Sequence, residues 1–192
     1  MAVTSTMLEL GTEAPDFSLR DVVSGETVSL SDYSDQTGVL VMFICNHCPY
    51  VKHVRSELAR IGTDYADSGI GIVAICSNDP EVSPGDSPEL MREEAKTHGY
   101  VFPYLFDETQ EVARAYTAMC TPDFFLFGPE RTLVYRGRMD ESRPDSGVPV
   151  TGKELRAAMD AVLAGEPVSE KQYASMGCSI KWSEGNQPAY FG

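Results

Sequence analysis

Val39-Leu40-Val41-Met42-Phe43-Ile44-Cys45-Asn46-His47-Cys48-Pro49-Tyr50-Val51 is the stretch that decides how this chain folds. Residues 39–44 form an unbroken apolar, partly β-branched run, the pattern of a strand buried on both faces. Pro49 suits the first turn of a helix, where its missing N–H leaves nothing unpaired. Val51, Val54, Leu58, Ile61 and Tyr65 then recur at helical spacing, so an amphipathic helix is expected over 49–65. Two cysteines sit where the strand hands over to the helix.

Working outward, residues 70–75 read as a second buried strand and 102–106 as a short third one. Residues 78–88, rich in Asp, Pro, Ser and Gly, are expected to be loop. Helices are expected over 88–98, ended by Gly99, and over 108–116. Residues 124–127 and 132–135 read as a hairpin turning at Gly128-Pro129-Glu130-Arg131, and 151–163 as a last helix stopped by Gly165. Towards the N-terminus, residues 14–19 and 26–30 read as two extended segments joined at Ser24-Gly25, with Ser31-Asp32 capping a brief helical turn. Strands alternating with helices imply a parallel core sheet, and the late hairpin adds an antiparallel edge. The chain divides into a domain over 1–167, including the N-terminal hairpin, and a tail over 168–192 laid on it, carrying Cys178 and Trp182.

The bulk composition fits a single domain with decorations. Hydrophobic residues at 42% and charged residues at 23% are ordinary for globular proteins, and no run is long and apolar enough to cross a bilayer. The first residues lack the basic and apolar regions of a signal peptide, so a cytoplasmic address is expected. A formal charge of −14 repels nucleic acid and anionic lipid and argues against both as partners. Solubility accounts for it, and a salty environment is an alternative that composition leaves open. A monomer or a dimer is equally compatible. Five cysteines, an odd number, argue against a fully paired secreted scaffold and turn attention to Cys45 and Cys48.

Cys45 follows a buried strand and precedes a helix, where free amides and the helix dipole favour a thiolate over a thiol of ordinary pKa ~8.5. Cys48, a turn on, can resolve a mixed disulfide formed on Cys45. His47 adds a positive influence if protonated. A stabilised thiolate makes the corresponding disulfide more oxidising. The competing reading is a zinc half-site built from Cys45, His47, Cys48 and His53. No second paired-ligand motif closes such a site, and the strand–Cys–helix context favours redox chemistry. Thr121-Pro122 precedes a strand, and a cis bond there would bring Thr121 beside the dithiol.

Cys76 reads as a small buried hydrophobe. Cys120 and Cys178 are candidate auxiliary redox residues, with a Cys120–Cys178 bond as one hypothesis. His53 reads as a helix-surface or tail-contacting residue, and His98 as a dipole-favoured helix end. Arg136 and Arg138 are expected on one face of the last hairpin strand.

Several motifs resemble thioredoxin-like proteins of the peroxiredoxin-related AhpC/TSA superfamily. They are Gly11-Thr12-Glu13-Ala14-Pro15-Asp16-Phe17-Ser18-Leu19, the C-x-H-C-P run at 45–49, Cys120-Thr121-Pro122-Asp123-Phe124-Phe125-Leu126-Phe127, and Gly177-Cys178-Ser179-Ile180-Lys181-Trp182. The resemblance implies a thioredoxin-like α/β fold: a central mixed β-sheet flanked by helices, with an N-terminal β-hairpin extension and a C-terminal tail. It implies a cis bond before Pro122, Cys45 as nucleophile and Cys48 as resolving residue. Two departures matter. The peroxiredoxin hydroxyl and proline positions hold Met42 and Gly38, which moves peroxidase activity to second place. Thioredoxin's buried acid is replaced by Val39. The expected function is thiol–disulfide exchange through Cys45, Cys48 and His47. Asn46, Pro49, Thr121 and Pro122 would contact the substrate, Thr121-Pro122 docking a strand through its backbone. The partner would be a disulfide-bearing protein or small molecule, with an unidentified electron donor. No cofactor beyond the dithiol and no bound metal is expected. A thiol peroxidase using Cys45, or a copper- or zinc-binding module, are the alternatives.

Overall fold

The computed structural model describes residues 2–191. Its centre is three parallel strands: β4 (Gly38–Phe43), β5 (Ile70–Cys76) and β6 (Tyr104–Phe106). An antiparallel hairpin closes each side, β2 (Ser18–Asp21) with β3 (Thr27–Ser29) beyond β6, and β8 (Asp123–Phe127) with β9 (Leu133–Gly137) beyond β4. The strand order of this seven-stranded sheet is β3-β2-β6-β5-β4-β8-β9. The helices are α1 (Pro49–Asp64), α2 (Pro88–His98), α3 (Glu111–Ala115) and α4 (Lys153–Ala164). This is the thioredoxin-like α/β arrangement.

The apolar run at 39–44 is explained by alternation. Leu40, Met42 and Ile44 point into a core shared with Val51, Leu58 and Ile61 of α1, Met91 of α2 and Leu155 and Met159 of α4. Val39, Val41 and Phe43 point the other way, into a core with Val112, Tyr116, Ile180 and Trp182. The strand needs apolar residues at every position because it has no solvent face.

Several boundaries shift for local reasons. The third parallel strand begins at Tyr104 rather than 102, because Pro103 has no N–H to pair. Helix α3 starts at Glu111 rather than 108: Gln110 adopts a left-handed conformation, and the Asp107 carboxylate takes the Ala113 N–H at 3.0 Å. The N-terminal strand is displaced to Ser18–Asp21, where the buried Asp21 carboxylate accepts from Ser24 N–H and Tyr104 N–H and closes the turn. The loop expected over 78–88 contains a 3-10 turn at Pro84–Asp86.

The tail carries structure that the sequence reading did not anticipate. Strand β10 (Met176–Ser179) lies between β1 (Ala2–Thr4) and β7 (Cys120–Thr121) in a separate antiparallel sheet of order β1-β10-β7. Beyond it Ile180 and Trp182 are buried against the second core. Gly177 allows the close approach of β10 to β7, since a Cβ there would run into the Thr121 carbonyl. Gly177→Ala is therefore expected to push β10 off β7 and cost about 1–3 kcal/mol. A lower urea midpoint with faster amide exchange at Cys178 is the predicted result. An unchanged midpoint and unchanged exchange would contradict this packing.

Candidate functional site

β4 delivers the chain to the site still paired, with Ile44 N–H bonded to Ile75 O at 3.0 Å. The chain then leaves the sheet, and α1 begins at Pro49 with Cys48 as its N-cap. Cys45 and Cys48 are free thiols, each only 3% exposed, and they line the same cavity. Both meet Thr121, whose peptide bond to Pro122 is cis. The Cys45 sulfur lies 3.1 Å from Thr121 Oγ1, and the Cys48 thiol donates to the Thr121 carbonyl at 3.0 Å.

The helix N-terminus was expected to favour a thiolate on Cys45. In the structure the capping position belongs to Cys48, and Cys45 lies three residues before it. Cys48 is pushed down to about 5, chiefly by the hydrogen bond from Cys45, helped by the Cys178 thiol and the N–H groups of Val51 and Cys178, against the cost of burial. Cys45 is pushed well up by its hydrogen bond to Cys48, by burial, and by the charges of Cys76 and Asp86, with only the Thr121 hydroxyl pulling the other way. The Thr121 carbonyl opposes charge on Cys48. Against it stand the donors around Cys48, whereas Cys45 has Asp86 as a neighbour. The pair thus behaves as one unit that loses its first proton easily and its second reluctantly.

Asn46 was expected to touch substrate, but it is turned inward. Its backbone N–H donates to Asp86 Oδ1 at 2.8 Å, its side-chain amide donates to Gly85 O, and its oxygen accepts from Tyr104 OH. His47 is exposed. Its ring rests on Gly85, with Nδ1 3.6 Å from Asp86 Oδ1. Pro49 stays at the surface beside the dithiol. A cavity of about 100 Å³ opens on this group, lined by Cys45, His47, Cys48, Asp86, Cys178 and Lys181.

Asp86 is the functional residue that sequence reading missed. Fully buried, it also accepts from Asn78 Nδ2 at 2.8 Å and Ser83 Oγ at 2.6 Å, and so ties the 78–86 loop to the motif backbone. Ser83-Pro84-Gly85-Asp86 signals a turn in sequence, but nothing in it reveals that the turn folds back under Asn46.

The other candidates separate. Cys178 faces Thr121 across β10 and β7, whereas Cys120 pairs with Ser179. Opposed residues share a face, so Cys120 and Cys178 point to opposite sides, and the Cys120–Cys178 bond does not fit this register. Cys120 and Cys76 are buried, and burial pushes both thiols well up. The backbone edge of Thr121, expected to dock a substrate strand, is occupied by β10. Pro122 lines a different cavity of about 150 Å³ with Tyr50 and His53, so His53 does not share the dithiol's cavity. Among the described residues no group of three or more His, Cys, Asp or Glu is arranged to hold a metal ion. Arg136 and Arg138 have separate duties: Arg136 bonds Gln172, and Arg138 pairs with Glu154 at 2.6 Å.

Comparison with known proteins bears on the family and the fold. The sequence profile of the AhpC/TSA family matches residues 10–136. The thiol-disulfide oxidoreductase ResA of Halalkalibacterium halodurans is 25% identical over 71% of this chain and 73% of its own. A crystal structure of an uncharacterized conserved protein from Geobacillus kaustophilus superposes with a TM-score of 0.93 at 55% identity, covering 95% of this chain and 97% of that one. The thioredoxin domain of a thiol-disulfide oxidoreductase from Bacteroides vulgatus shares the fold, with a TM-score of 0.58 at 22% identity over 71% and 90% of the chains.

Two outcomes follow from the geometry. The reduced protein should carry one thiolate above about pH 5 and lose it as the pH falls through that value, read as absorbance near 240 nm. Cys48→Ser should abolish that step and Cys45→Ala should move it upward; a first ionisation near pH 9 contradicts the assignment. Asp86→Ala leaves the donors of Asn46, Asn78 and Ser83 unpaired and should cost about 1–3 kcal/mol in a denaturation experiment. Unaltered stability would show that water replaces the carboxylate without loss.

Proposed function

The chain belongs to the AhpC/TSA family, and from that premise we propose that it is a thiol–disulfide oxidoreductase cycling Cys45 and Cys48 between dithiol and disulfide. One observation carries the reading. Two free thiols sit at the start of a helix, both hydrogen-bonded to Thr121, beside a cavity that opens to solvent.

In this scheme the Cys48 thiolate attacks one sulfur of a substrate disulfide. A Cys48–substrate disulfide forms and the other substrate half leaves as a thiolate, which takes a proton from water. The attack consumes the negative charge that holds the Cys45 proton in place. Cys45 then releases its proton more easily, with the Thr121 hydroxyl 3.1 Å away to stabilise the sulfur anion. Cys45 attacks Cys48, the Cys45–Cys48 disulfide forms, and the second substrate thiol departs. Two electrons have passed from the protein to the substrate. An external thiol reductant closes the cycle.

In this reading Cys48 attacks and Cys45 resolves, the opposite order to the sequence expectation, and the support for it is that Cys48 caps α1. With β10 on the Thr121 edge, the substrate reaches the sulfurs through the cavity rimmed by His47 and Lys181. That favours a small or protruding disulfide, such as glutathione disulfide or an exposed protein bond. The substrate, the donor and the site of action are parts of the proposal.

The test is turnover of protein and low-molecular-weight disulfides with dithiothreitol as donor. Cys48→Ser should fall to the rate of dithiothreitol alone and should not react with the disulfide. Cys45→Ser should still react through Cys48, releasing one substrate thiol, without forming the Cys45–Cys48 disulfide. Turnover surviving in Cys48→Ser, or hydrogen peroxide consumed faster than any disulfide, would overturn the scheme.

A further inference from the structure

We propose that Cys178 is a third redox cysteine, competing with Cys45 for Cys48, so that the single disulfide of the oxidised protein resides either at Cys45–Cys48 or at Cys48–Cys178. This rests on the dithiol reading above and extends it to the tail. Cys48 is the middle sulfur of three. Cys45, Cys48 and Cys178 line one cavity, Cys45 and Cys48 both meet Thr121, and the Cys178 N–H lies 3.4 Å from the Cys48 sulfur.

The tail is held to deliver that sulfur. Cys178 opposes Thr121 in the β10–β7 register, and Gly177 has no room for a Cβ against the Thr121 carbonyl. Beyond the strand, Lys181 N–H donates to Asn78 Oδ1 at 2.9 Å, and Lys181 O accepts from Asp79 N–H at 2.8 Å. Cys178 is thus placed on the backbone edge where a substrate strand was expected, with its backbone against the Cys48 sulfur, and it lines the same cavity. Unlike Cys45 it is only partly buried and lines the mouth of the cavity.

The exchange balances without an added oxidant. Starting from the Cys45–Cys48 disulfide, Cys178 loses its proton and attacks the Cys48 sulfur. The Cys45–Cys48 bond breaks, the Cys48–Cys178 bond forms, and Cys45 leaves as a thiolate that takes up the proton. The number of disulfides is unchanged. A thiol from solvent then attacks Cys178, the more accessible sulfur, and releases Cys48 as the thiolate. A second thiol attacks the resulting mixed disulfide and frees Cys178. The tail thereby carries the disulfide from the buried pair to the surface, where the reductant can reach it.

The experiment uses the full chain. Reduced wild type, Cys45→Ser and Cys178→Ser are treated with glutathione disulfide, quenched with N-ethylmaleimide, and digested without reduction. Lys171 and Lys181 flank Cys178, so a Cys48–Cys178 linkage joins two separate tryptic peptides. Cys45→Ser should yield that linked pair with release of glutathione. Wild type should yield it beside the Cys45–Cys48 product. Reduction of oxidised Cys178→Ser by glutathione should be roughly tenfold slower than that of wild type.

A stable glutathione adduct on Cys48 of Cys45→Ser, with Cys178 recovered as the maleimide adduct, overturns the proposal. So does an unchanged reduction rate in Cys178→Ser, which serves as the check if Cys45→Ser folds poorly. Failure of the underlying dithiol reading looks different: neither wild type nor Cys178→Ser would then form the Cys45–Cys48 disulfide.

Discussion

One residue, Thr121, holds both reactive sulfurs: its hydroxyl meets Cys45 and its carbonyl meets Cys48. Two chain segments 76 residues apart must arrive together for this to happen. The fold accomplishes it by placing β8, which follows Thr121-Pro122, antiparallel to β4, which precedes Cys45. Phe43 pairs with Asp123, so the last pair of the ladder lies directly below the site. Apolar burial on both faces of β4 fixes that register, since a one-residue slip would exchange the contents of the two cores.

The electrostatics follow from where the helix starts. Pro49 begins α1 and makes Cys48 its cap, so the amides and the dipole act on Cys48 before they act on Cys45. Asp86 supplies the opposite field. Its carboxylate is anchored by three donors and lies on the Cys45 side, where it holds that proton in place. Two cysteines of one motif thereby share a first proton that leaves readily and a second that is held.

The legible parts of the sequence were those in which local pattern and tertiary burial coincide. Residues 39–44 and 70–75 read as buried strands because no position on them faces water, and 49–65 reads as a helix because one face does. The parallel core with antiparallel hairpins followed from the order of those elements. What stayed hidden depends on long-range partners. Met176-Gly177-Cys178-Ser179 has neither length nor apolar alternation, and it is a strand only because β1 and β7 flank it. The 78–88 stretch reads as loop, and only its tertiary contacts make Asp86 part of the site. The strand's end and the helix's start are legible, but the path of residues 44–48 between them, which makes Cys48 the cap, is not.

The central claim is that these two sulfurs interconvert between dithiol and disulfide. It is tested most directly by equilibrating the protein in glutathione buffers of graded ratio, acid-quenching, and weighing the intact chain. A single two-electron transition, in which two hydrogens are lost and the disulfide maps to the 45–48 segment or joins it to Cys178, is the predicted result. A chain that keeps both thiols across the whole range, or oxidises only by linking to a second molecule, would contradict it.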